Sequence, residues 1–210
     1  MDLTALQKDA LTELINIGYG RAAGALSELT GYRITLEVPQ VSIHAIQEMA
    51  PMLEDILSSN VASVNQRFYG AMSGTAMLLL NEPSALMLTR LLSEDRAAIV
   101  EFDANTREII TEVGNILLNA CLGVFGNLLE VQISFSVPEL YQENVAKVIH
   151  IISEQSTENL SYGLMMQTRF HAKTEDVTGY LVIVLGIGSL DRLLVELEKW
   201  ENRQNGEPLA

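Results

Sequence analysis

Apolar residues recur at spacings of three and four through Leu6, Ala10, Leu14 and Ile17, in a run free of proline from residue 3 to 29. That period predicts an amphipathic helix. Asp9, Glu13 and Asn16 form its opposing polar stripe, and Gly31 suits a stop. Residues 32–38 then alternate, with Ile34, Leu36 and Val38 on one side and Arg33, Thr35 and Glu37 on the other. This is the pattern of a half-buried strand. Pro39 ends or edges it, because proline cannot donate to a ladder. Residues 43–57 predict a short, irregular helical segment interrupted by Pro51. Two strands are expected at 61–69 and 72–80, the second nearly all apolar and therefore central. A helix opens at Pro83 and runs to residue 92, with proline early enough that its missing N–H costs little.

A charged connector, 93–103, separates this pattern from a second copy of it. The copy predicts a helix over 105–129, a strand over 131–137, Pro138, a helical segment to 149, strands at 160–172 and 177–185, and a helix from 190 to 202. Residues 203–210 should fray. The landmarks repeat as well as the pattern. Glu112, Asn115 and Pro138 each follow Glu13, Asn16 and Pro39 by 99 residues. The later strands match at 105: Gly74 to Leu79 against Gly179 to Val184, then Ser84 with Ser189 and Leu88 with Leu193. About six residues were therefore gained between the landmarks.

The order helix, strand, helix, two strands, helix thus occurs twice, as repeats at about 3–92 and 105–202. The fold class expected is α+β, a pseudo-twofold internal duplication with an antiparallel sheet and two long motif-bearing helices exposed on one side. Neither half has a large enough sheet to stand alone, so one fused core over 1–210 follows.

Composition narrows the function. A hydrophobic content of 48% places the chain among globular proteins. Its net charge of −14 argues against nucleic-acid partners and against an anionic membrane surface. A lone cysteine, Cys121, forms no internal disulfide and suits a reducing compartment. The start of the chain has no signal-peptide pattern, and the apolar stretch 116–129 is too short and too interrupted to span a membrane. A cytoplasmic protein without membrane insertion is the expectation. The histidines, His44, His150 and His171, have no metal-ligand spacing, so no metal site is expected.

The polar stripes carry the candidate chemistry. Glu13 and Asn16, like Glu112 and Asn115, lie three residues apart and so about 60° apart around a helix, pointing the same way. Most such pairs are merely solvated faces. These differ because the helices are otherwise low in charge, which concentrates the polar groups in the stripes, together with Asp9, Glu108 and Asn119. Asparagine also disfavours helix interiors, so two matched ones need a reason. A carboxamide can accept from a water while donating to a phosphoryl oxygen, and the neighbouring carboxylate can grip a partner's cation. The chain supplies no cationic cluster, so any metal or positive charge for phosphoryl chemistry must come with the substrate.

These residues resemble the CheC/CheX/FliY family of chemotaxis phosphatases. The family signature is Asp or Ser, three residues, Glu, two residues, Asn, twenty-two residues, Pro. Asp9, Glu13, Asn16 and Pro39 match it, and Glu112, Asn115 and Pro138 match again, with Glu108 where Asp or Ser is usual. Residues 16–23, from Asn16 through Gly18 and Gly20 to Ala23, resemble the family's N-I-G-x-G-x-A-A run. The resemblance implies an enzyme that dephosphorylates the response regulator CheY. Glu13 and Glu112 would pair with the regulator's lysine, and Asn16 and Asn115 would orient the attacking water. Asp9, Glu108, Gly18 and Gly20 would support the docked partner, which would bring its own magnesium ion; for the two glycines, tight helix–strand packing is an equal alternative. Pro39 and Pro138 would be structural. The doubled signature is most similar to CheC, proteins that in many systems also bind the deamidase CheD. The alternative expectation is a non-catalytic module that docks a response regulator or CheD.

Overall fold

The first polar stripe lies on α1 (Ala5–Thr30) and the second on α4 (Ala104–Leu128) of a computed structural model that describes residues 3–37, 41–57, 60–93, 101–156, 159–172 and 175–205. Thr4 caps α1 reciprocally. Its hydroxyl accepts from the Gln7 N–H at 3.1 Å, and the Gln7 carboxamide oxygen accepts from the Thr4 N–H at 3.0 Å. Such a cap contributes about 1 kcal/mol. Gly31 ends α1 at a φ of 71°, where glycine meets no steric penalty. α4 opens on Asp103, whose carboxylate accepts from the Thr106 N–H at 2.8 Å and is held below its ordinary pKa by that bond. It ends on Glu130 at a φ of 57°, in the place that Gly31 holds 99 residues earlier. The Val131 N–H closes back onto the Gly126 carbonyl at 3.0 Å. The second repeat keeps the turn without the glycine, at a strain of about 1 kcal/mol.

Eight strands follow these helices: β1 (Ile34–Glu37), β2 (Val41–Ala45), β3 (Val61–Gly70), β4 (Gly74–Asn81), β5 (Ile133–Phe135), β6 (Glu139–Glu143), β7 (Leu160–Ala172) and β8 (Glu175–Gly186). They form one antiparallel sheet in the order β1-β7-β8-β4-β3-β5, with β2 also on β7 and β6 also on β3. The order reads the same from either end once the halves are exchanged. Each half sends its early strands to the other half's hairpin: β1 and β2 to β7, β5 and β6 to β3. At the midline Met77 stands opposite Val182, 105 residues apart, so the sheet's axis passes through a pair that the sequence offset relates. A twofold normal to the sheet reverses every in-plane direction. The packed neighbours α1 and α4 therefore run antiparallel, with their stripes toward opposite ends of the pair.

The remaining helices are α2 (Ile46–Leu57), α3 (Glu82–Leu92), α5 (Val145–Gln155) and α6 (Ile187–Asn205). Val64, Ala76, Leu78, Leu181 and Ile183 face α1, α3, α4 and α6, while Met77, Leu79, Val182 and Val184 face α2 and α5. The two long helices lie on one side of the sheet, as expected, flanked by α6 against α1 and α3 against α4. By length and composition α4 is the one helix among the described residues able to cross a membrane, but half of that apolar window is buried within the fold.

Two strands were not anticipated. The expected order is corrected to helix, two strands, helix, two strands, helix. Residues 43–45, read as the start of the helical segment 43–57, instead belong to β2, which pairs with β7 and runs directly into α2; that helix continues through an exposed Pro51. β6 is a polar edge strand whose apolar residues, Leu140 and Tyr141, are adjacent and give no alternation. The expected buried stripe on α1 also shifts. Ala10 and Leu14 are buried as expected, but Leu6 is 47% exposed and Ile17 half-buried, and the buried face widens to Leu11, Ile15, Tyr19, Ala22 and Leu26. Residues 203–205, expected to fray, form the last turn of α6. Pro39, residues 94–100 of the connector and the tail 206–210 lie outside the described residues.

Candidate functional site

On α1, Asp9, Glu13, Asn16 and Gly20 are all exposed, one above another on the face turned away from the sheet. Among the described residues none of these side chains has a hydrogen-bond or ion-pair partner. Asp9, Ala10, Glu13 and Ile17 line an open hollow completed by Trp200, Glu201 and Gln204 of α6. Trp200 is 8% exposed and joins the hydrophobic core where it borders the hollow. Gln7 ties the two helices together by donating to the Glu198 carboxylate at 2.9 Å. Sequence reading missed this wall, because the chain's one tryptophan falls 187 residues after Glu13 with no pattern joining them.

Gly18 is placed differently from its expected partner-supporting role. It is buried, and a Cβ there would stand 3.0 Å from the Cys121 Cα on α4. Gly18 is the close-approach point of the two long helices, an internal one. Beside it Tyr19 is fully buried and hydrogen-bonds the Thr168 hydroxyl on β7. Burial pushes the Tyr19 phenol well above its ordinary pKa and pushes the Cys121 thiol up as well. Cys121 is a small packing residue there, not a nucleophile. Gly20 instead faces open space.

On α4, Glu108 and Glu112 are exposed while Asn115 and Asn119 are half-buried. Glu112 and Asn115 thus share a face as Glu13 and Asn16 do. The glycine between them is a packing device. A Cβ on Gly114 would fall 2.6 Å from the Val64 Cβ and 2.5 Å from a Val64 methyl, so α4 lies directly on β3. One turn on, Asn119 donates to the Asn115 Oδ1 at 2.6 Å and accepts from Gln66 of β3 at 3.0 Å. Gln66 also donates to the Ser136 carbonyl at 3.0 Å. Nothing in the sequence singles out Gln66, one of several polar residues along β3 with Ser63, Asn65 and Arg67. Asn119 was visible as part of the stripe. Pro138 is half-buried in the link from β5 to β6. The positions matching Trp200, Glu201 and Gln204 fall within 94–100, outside the described residues.

The model of the CheC-like family matches residues 6–43, which carry Asp9, Glu13, Asn16 and Pro39. Over 196 residues the chain is 24% identical to the CheY-P phosphatase CheC of Bacillus subtilis, covering 91% of this chain and 93% of that protein. Residues 6–43 are thus CheC-like. The fold also superposes on FliY of Thermotoga maritima with a TM-score of 0.76, at 19% identity, over 95% of this chain and 100% of that one. The FliM middle domain of H. pylori gives a TM-score of 0.65 at 14% identity, over 92% and 99% of the two chains. These likenesses concern the fold, and the matched family segment concerns the first stripe.

Proposed function

We propose that this CheC-like protein hydrolyses the aspartyl phosphate of a phosphorylated CheY-type response regulator at two sites, Glu13 with Asn16 and Glu112 with Asn115. The supporting observation is that Glu13, Asn16 and Glu112 are exposed and Asn115 is half-buried on the same helix face as Glu112, so that each pair lies within reach of a partner's phosphorylated surface. The CheC relative's description as a CheY-P phosphatase supports the choice of substrate.

In this reading the regulator docks across a stripe. Glu13 or Glu112 forms an ion pair with a lysine of the regulator's active site, which fixes the acyl phosphate over the adjacent asparagine. The asparagine oxygen accepts one proton of a water, and its amino group donates to a phosphoryl oxygen. The water's free lone pair is thereby aimed in line with the P–O bond to the aspartyl oxygen. Attack forms the new P–O bond as that one breaks. Inorganic phosphate leaves carrying the water's oxygen, the regulator's carboxylate is restored, and nothing is bonded to this chain. The magnesium ion belongs to the phosphorylated partner. The charge of −14 favours a partner that presents cations.

The other reading is a docking module for a response regulator or CheD without turnover, a use suggested by FliM, a protein of the same fold that has been crystallised with FliG. Decay of phosphorylated CheY separates them. Asn16→Ala and Asn115→Ala should each remove one site's share, and the double variant should lose about 10²-fold of the acceleration. Capture of CheY with unchanged phosphate lifetime would favour the docking module.

A further inference from the structure

The three carboxamides on the α4 side form a directed chain. The Ser136 carbonyl can only accept, so the end of Gln66 that lies 3.0 Å from it must be the amino group. That same nitrogen is 3.0 Å from one end of Asn119, which must therefore be oxygen. The other end of Asn119 is then its amino group, and the atom it meets at 2.6 Å on Asn115 must be Oδ1. One backbone carbonyl sets the orientation of all three amides.

We propose that Asn119, held by Gln66, is a positioning residue for Asn115 and makes the two sites unequal; the rate consequence rests on the phosphatase reading above, the geometry does not. Gln66 is 1% exposed, in line with Val64 and Phe68 on the apolar face of β3, and its Oε1 has no partner. A buried amide with an idle oxygen is a poor choice for packing alone. The other repeat has no such relay. Phe170 matches Phe68, each standing opposite strand residues that are 99 apart, Leu36 and Phe135, and the same step places Thr168 against Gln66. Thr168 binds Tyr19, not a carboxamide. The counterpart of Asn119 is Gly20, which has no side chain and open space around it.

The relay pins the Asn115 oxygen. One lone pair is engaged by Asn119, the second is left for a water proton, and the amino group is left for a phosphoryl oxygen. Asn16 has no such tether and must fix both side-chain torsions as the regulator docks. Ordering one such side chain corresponds to about three- to tenfold in rate. The site on α4 is accordingly the faster of the two, through geometry set before the partner arrives.

The test uses the full chain, with CheY phosphate decay and ¹⁵N–¹H spectra of the side-chain amides read together. In an Asn16→Ala background, Asn119→Ala should lower kcat by about three- to tenfold with KM within about twofold. Once Asn115 is alanine, Asn119→Ala should have no further effect, the non-additivity of groups that act as one. Asn119→Asp keeps the shape but offers only acceptors to Asn115, and should lower kcat as far. The Asn115 amide pair should shift in Asn119→Ala and in Gln66→Leu, while the Asn16 pair stays in place. A loss in KM alone, additivity with Asn115→Ala, or unmoved Asn115 resonances would overturn the relay. An inert wild-type chain overturns the phosphatase reading and its rate consequence, while the amide spectra still decide the geometry.

Discussion

Glycine at 114 does more for the α4 site than either neighbour's chemistry suggests. With no Cβ, α4 lies against Val64, which sets Asn115 and Asn119 at the height of Gln66. Gly114→Ala would gain helix propensity, but the added methyl meets a β-branched side chain fixed on a strand, and overpacking wins. The expected cost is roughly 1–3 kcal/mol, a fall of some 2–10 °C in Tm by thermal unfolding; an unchanged Tm would contradict the packing account. In the sequence the roles of individual residues were unevenly legible. Glu13, Asn16, Glu112 and Asn115 stood out because two matched spacings are rare. Gly114 and Gln66 did not, since their meaning is a contact with residues 50 and 53 positions away, Val64 and Asn119. Spacing left Gly18 open between partner approach and internal packing, and it packs on α4, for spacing on a helix gives the face of a residue but not which face is covered.

Elements built on long periods were readable, and short polar ones were not. The 26 residues of α1 and 13 of β7 declare themselves by repetition, whereas β2 and β6, five residues each, acquire their character from β7 and β3. Short strands at the sheet's margins also depend on side-chain clasps. At one margin His171 of β7 lies with its Nδ1 2.6 Å from Asp176 of β8 and its Nε2 3.2 Å from Glu37 of β1, the latter an ion pair, not an aligned hydrogen bond. The bond to Asp176, assisted by Glu37 and opposed by desolvation, raises the His171 pKa above its ordinary value. A raised folded pKa means that the clasp's stabilisation is fully present below the unfolded value of about 6.5 and is lost as pH rises through the folded one. The Tm deficit of His171→Gln should therefore be larger at pH 6 than at pH 9. A deficit independent of pH would remove protonated His171 from the account.

At the scale of the whole molecule the halves are interlocked. β1 and β2 complete the second half's hairpin, and β5 and β6 complete the first half's. Separate chains 1–93 and 101–210 should each lack a cooperative melt as monomers and regain one when mixed; a cooperative monomeric melt of either would contradict the exchange. The twofold was legible in the 99- and 105-residue offsets. The exchange itself was not, because pairing partners leave no mark on spacing. What the symmetry delivers is a pair of outward acid–amide ledges, and their use is decided by one measurement. With phosphorylated CheY in excess, the chain should speed phosphate loss at substoichiometric amounts, and the Asn16→Ala/Asn115→Ala chain should lose about 10²-fold of that acceleration while retaining its melt. Equal decay with the wild-type and doubly substituted chains would contradict the central claim.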